Sequence, residues 1–199
     1  YNHFVVRKYL CKKFGLEYET PWQAERRAEL EDLDDYLHNE YFQTDYPDLY
    51  QILTKGRLFG TYHMMIETAR RLILDHAITN DMEQPLFFLT KRSMLRVLPT
   101  FGLEMSEWVL TKNISTLARY GLIEILPDER IPIQFLQKMR CWQVAHHYRY
   151  RPNVYTIPLL SPALAEYAVG RAKADKKSNV RRRKLGRAQI KMLDDSLAD

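Results

Sequence analysis

The chain has 199 residues and a mass of 23.8 kDa, enough to bury a sizeable core as one domain or two small ones. Hydrophobic residues at 46% and aromatics at 12% exclude a largely disordered chain, and seven glycines with nine prolines exclude a low-complexity one. The formal charge of +5 is modest but unevenly spread. Acids crowd the stretch from Glu17 to Asp48, opposed only by Arg26 and Arg27, while bases crowd Arg171 to Lys191, opposed only by Asp175.

No apolar run approaches the roughly 18 residues of a membrane span, and no signal-peptide core is visible. Two cysteines, Cys11 and Cys141, fit a reducing compartment without structural disulfides, so the expected location is the cytoplasm. The chain starts at Tyr1 rather than Met, which suggests a piece of a longer protein and leaves a preceding targeting segment open.

Tyr1 to Phe14 suits a short helix with Phe4, Val5, Tyr9 and Leu10 inside. Thr20, Pro21 and Gln23 then supply a threonine cap, a proline at the first helical position and a glutamine that completes a capping box. The helix they start places Leu30, Leu33 and Leu37 on one side and the acids on the other, and should end before Pro47. From about Thr61 to His76 a further helix presents Met65, Ala69, Leu72 and Ile73 inward.

Thr90 to Leu98 reads as the next helix, started by Thr90 or Ser93 and stopped by Pro99, with Gly102 available for a turn. Ser106 can cap the helix after it, and Glu107 suits that helix's dipole. Leu110, Ile114 and Leu117 form its narrow apolar stripe, Gly121 its left-handed stop, and Leu122, Ile123, Ile125 and Leu126 a strand leaving it. The opposite face carries Trp108, Thr111, Lys112, Ser115 and Arg119, which is what a helix entering a major groove needs. Phe135, Leu136, Met139 and Trp142 then recur at helical spacing, and 153–157 reads as a returning strand. Ser161 and Pro162 open a last helix to Lys173, beyond which the chain has almost nothing apolar to bury and reads as a mobile basic arm, with a solvated extension of the helix as the alternative.

The segment from Leu86 to Leu159 resembles the winged helix-turn-helix superfamily, with the run NISTLARYGLIEIL in the place of the recognition helix and first wing strand. A helix inserted between the two wing strands is similar to winged-helix domains of plasmid and phage replication proteins. The resemblance implies a mainly α fold with a small antiparallel β-wing, made of an N-terminal helical region (1–59), the winged domain with an enlarged wing (60–170) and the basic arm (171–199). It implies double-stranded DNA as ligand, with Trp108, Thr111, Lys112, Ser115 and Arg119 reading bases. Phosphates would be held by Lys91, Arg92, Arg96, Lys176, Lys177, Arg181, Arg182, Arg183, Lys184 and Arg187. A homodimer is compatible with this reading, and the role would lie in replication initiation or transcriptional regulation.

Signals for chemistry are sparse. Cys141, His146 and His147 lie close in sequence but fall short of a four-ligand zinc pattern, and no phosphate-cradling glycine loop exists. His146 and Arg149 match a His-x-x-Arg spacing without the supporting residues of a recombinase. We therefore expect no enzyme activity, no catalytic residues, no metal and no cofactor. The alternatives are a protein-interaction module whose acidic helix docks a basic partner, and a nuclease or integrase built on Glu31, Asp32 and Asp35.

Overall fold

The computed structural model describes residues 9–10, 13–14, 21–76 and 86–196, with the side chains of 73–76, 182 and 184–196 outside that description. The fold is mainly α-helical with one small three-stranded antiparallel sheet. Near the N-terminus Tyr9 and Leu10 are helical but 63% and 43% exposed, so the inward face expected for them is not formed. Among the described residues nothing covers them. Phe4, Val5 and the Thr20 cap lie outside the described residues.

Helix α1 (Pro21–His38) buries Leu30, Leu33 and Leu37, as their spacing requires. It does not continue to Pro47. Asn39 adopts an extended backbone and its side-chain oxygen accepts from the Tyr41 N–H at 3.2 Å, which starts the short helix α2 (Glu40–Asp45). An asparagine side chain competes for backbone hydrogen bonds and favours a cap over a helix interior. The resulting bend sends Phe42 fully into the core. Pro47 then opens helix α3 (Pro47–Lys55), whose Leu49 and Leu53 are buried.

Helix α4 (Phe59–His76) lies against α1 and buries Met64, Met65, Ile66 and Ala69; Leu72 is half-buried and the Ile73 side chain is outside the described set. Strand β1 (Phe87–Leu89) comes next, then helix α5 (Lys91–Val97), a 3-10 turn at Leu98–Phe101 and helix α6 (Glu107–Arg119). Thr90 caps α5 by accepting from the Ser93 N–H at 3.1 Å, and Ser106 caps α6 by accepting from the Val109 N–H at 3.3 Å. Gly102 (φ 65°) and Gly121 (φ 76°) make the left-handed turns that end the 3-10 turn and α6 respectively.

The strand expected at 122–126 contracts to β2 (Glu124–Ile125). Leu122 is drawn into the helix stop instead, its N–H donating to the Leu117 carbonyl at 3.0 Å, and Leu122 and Ile123 are buried. Helix α7 (Ile133–Ala145) stands between β2 and strand β3 (Asn153–Thr156). β3 is the central strand, pairing Phe87 with Tyr155 on one side and Glu124 with Thr156 on the other. Side-chain alternation sends Phe87 and Tyr155 into the main core, shared with α1 to α6, and Phe88 and Val154 into a second cluster with Phe135 and Met139 of α7. The sheet is therefore covered on both faces.

The expected mobile arm is instead part of one continuous helix, α8 (Pro162–Ser196), of 35 residues. Ala165 and Ala168 seat its start in the core. Val169 and Ala172 still pack against the core and Lys173 and Asp175 pair with Asp48 and Arg119, whereas from Lys176 on the described side chains are exposed and alanine, lysine and arginine suit the helix by their own propensity. At about 1.5 Å per residue it spans roughly 52 Å. Among the described residues no helix is long and apolar enough to cross a membrane.

Candidate nucleic-acid interface

The inner stripe of α6 is set by its apolar residues: Leu110, Ile114 and Leu117 are buried. Asn113 joins them, with its side-chain N–H groups donating to Thr61 Oγ1 at 3.0 Å and to the Arg57 carbonyl at 3.3 Å. This buried amide fixes α6 against the N-terminal half of α4, and helical periodicity alone gives no sign of it because the residue is polar.

The outer face of α6 turns Trp108, Lys112 and Ser115 to solvent and leaves Thr111 half-buried. Trp108 is 70% exposed, and the Lys112 ammonium lies 5.2 Å above its ring. This cation–π contact holds an indole and a charge together on an otherwise open surface. Arg119, expected on the same face, is turned to α8, where its guanidinium pairs with Asp175 at 2.6 Å. Four of the five residues thus share one open face, and the fifth is occupied by the lone acid of the basic run.

At the N-terminal end of α6, Lys91, Arg92, Glu107 and the 148–153 loop line a cleft of about 470 Å³. The loop brings Arg149, whose guanidinium lies 5.4 Å from the Tyr150 ring, and Arg151, which pairs with Asp128. That pairing holds the Asp128 carboxyl below its ordinary value. Tyr148 reaches the start of α5: hydroxyl hydrogen bonds from Thr90 and Ser93, then the charges of Arg96 and Arg92, lower its phenol from the ordinary value. Its ring stacks on Trp142 at 5.1 Å, so the second cluster of α7 supports the cleft from behind. Tyr148, Arg149, Tyr150 and Arg151 were not among the residues expected from the sequence. The signal was present as the basic and aromatic run between α7 and β3.

Lys91, Arg92 and Arg96 are all exposed. So are Lys176, Lys177, Arg181 and Arg183 on α8, whereas the side chains of Arg182, Lys184 and Arg187 lie outside the described residues. The two groups of bases do not form one patch. The first flanks the beginning of α6 and the second departs from its end, beside the Arg119–Asp175 pair.

The acids of α1 do not gather. Glu31 pairs with Arg70 of α4 at 3.1 Å, while Asp32 and Asp35 are exposed. His146 stacks on Trp142 at 4.5 Å. No protein-family model matches the chain, and no curated protein or solved structure matches it either.

Proposed function

We propose that this chain is a winged helix-turn-helix protein that binds double-stranded DNA without enzymatic activity, with α6 as the recognition helix. The observation that carries the reading is the open outer face of α6, bracketed at its start by Lys91, Arg92 and Arg149 and at its end by the basic helix α8. The element order supports it: α4, β1, α5, α6, β2 and β3 follow the helix, strand, helix, helix, strand, strand sequence of a winged helix once α7, inserted between β2 and β3, is set aside, with β3 in the middle of the sheet. Base edges would be read by Trp108, Thr111, Lys112 and Ser115. Phosphates would be held by the bases at the two ends, since phosphate contacts position a protein and base contacts specify its site. α7 takes the place of a short wing tip, so the cleft and its Tyr148 to Arg151 loop would do the work of the wing. The role we propose is replication initiation of a mobile element or transcriptional regulation, in the cytoplasm.

Selection of a site from random duplexes, followed by competition binding at fixed salt, tests this. Lys112→Ala should lower the preference for the selected site by about 1–3 kcal/mol, the range of one good base contact. Arg149→Ala should weaken binding to selected and random duplexes alike. If no site emerges, or if both variants lose affinity in the same sequence-blind way, base readout by α6 is wrong and a protein-docking role for this surface takes its place.

A further inference from the structure

Asp34 and His38 stand one turn apart on α1, so both side chains leave the helix on the same side, and His63 of α4 meets them there. One nitrogen of each imidazole and one carboxylate oxygen all lie within 4.8 Å of one another. The Nδ1 atoms of His63 and His38 are 2.6 Å and 3.7 Å from the same Asp34 oxygen. A tetrahedral ion with bonds of about 2.0–2.1 Å needs about 3.3 Å between its donors, and the two observed separations straddle that value.

The surroundings are those of a ligand set. His38 Nδ1 lies 2.8 Å from the Asp34 main-chain oxygen, a hydrogen bond that gives way when that nitrogen takes an ion, as the His63–Asp34 one does. Phe59 packs edge-on against His38 and Phe101 edge-on against His63, giving both imidazoles apolar support. Among the described residues the ion pairs of Asp34 are to these two histidines, because nearby Arg70 is held by Glu67 at 2.7 Å and Glu31 at 3.1 Å. Asp34 and His63 are mostly buried while His38 is half-exposed, which leaves a path for an ion from solvent.

We propose that Asp34, His38 and His63 bind a divalent transition-metal ion such as zinc, clamping α1 to α4. Two imidazoles with one carboxylate select nitrogen-seeking cations over magnesium or calcium, which prefer oxygen shells. The ion takes the place of the proton shared by His63 and Asp34, and three protein donors leave its fourth position to water or an outside ligand. This site lies apart from α6 and its cleft, and it does not depend on DNA binding.

Titration of the full chain, free of any affinity tag, with zinc chloride alone should show one equivalent bound and a raised melting temperature, while magnesium chloride at the same concentration does neither. His38 is exposed enough that His38→Gln should fold normally, and it should weaken zinc binding at least tenfold; His63→Gln and Asp34→Asn should do the same. A variant with Cys141→Ser, His146→Gln and His147→Gln should bind as the parent does. The assignment is overturned if the parent binds no zinc, if His38→Gln or Asp34→Asn binds zinc unchanged, or if magnesium binds as well as zinc.

Discussion

Helices α1 and α8 carry the two charge extremes of the chain and use them in opposite ways. In α1 the acids are tied into the body: Glu29 to Arg26 at 2.6 Å, Glu31 to Arg70 of α4, and Asp34 to His63 of α4 at 2.6 Å. Its leucines face the core over the whole second half of the helix. In α8 the same two devices operate only at the start, where Ala165 and Ala168 are buried, Lys173 meets Asp48 at 2.9 Å and Asp175 meets Arg119. After Asp175 the described bases are exposed, and no ion pair to them is formed among the described residues. Charge density therefore does not decide whether a helix belongs to the body. An apolar stripe does, and local propensity decides whether the remainder is still a helix.

The contrast would break most visibly under truncation of side chains on the two helices. Leu30→Ala in α1 should cost about 2–5 kcal/mol of stability in urea unfolding, as for other core leucines. Val180→Ala, on the exposed stretch of α8, should change it by no more than about 0.5 kcal/mol. Equal effects would mean that α8 packs against something in solution. Removing residues 176–199 should leave the melting temperature nearly unchanged and reduce the slope of log affinity against log salt by about 0.9 for each phosphate that the removed bases had neutralised. An unchanged slope would show that α8 does not meet the polyanion. The smallest effect belongs to Asp175→Asn, which frees Arg119. We expect a salt slope steeper by about 0.9, from one added cation. Because Arg119 is 44% exposed, the stability lost with the pair should stay under about 1 kcal/mol.

What the sequence made legible was local. Ser106, the Leu110, Ile114 and Leu117 stripe and Gly121 each act within a turn or two of their own position, and α6 forms as they require. The inserted helix α7 was equally readable from Phe135 and Met139. β1 was not, because Leu86 to Leu89 is an unbroken apolar run whose partner strand arrives only at Asn153. The break at Asn39 was hidden by acids that continue smoothly across it. In the candidate site, the exposed face of α6 was readable from helical spacing. The capture of Arg119 by Asp175 was not, since the two residues meet only after α8 folds back. The same holds for Asp34 with His63, and for Asn113 with Thr61: each is a pair of polar residues far apart in sequence, with no period to announce it.

The central position of β3 also bears on the order in which the chain folds. β1 and β2 are not hydrogen-bonded to each other, so neither has a strand to pair with until residues 153–156 arrive between them. Contacts between α1, α2 and α3, by contrast, close over short loops as soon as that part of the chain exists. Long-range pairing pays its loop entropy before it gains any contact and is the slower event. The step that sets the folding rate should therefore be the insertion of β3, with α7 closing over the sheet. Until then the 148–152 loop has no strand to anchor it, and a nascent chain ending before Asn153 would carry Lys91 and Arg92 beside α6 but leave Arg149 without a fixed place in the cleft.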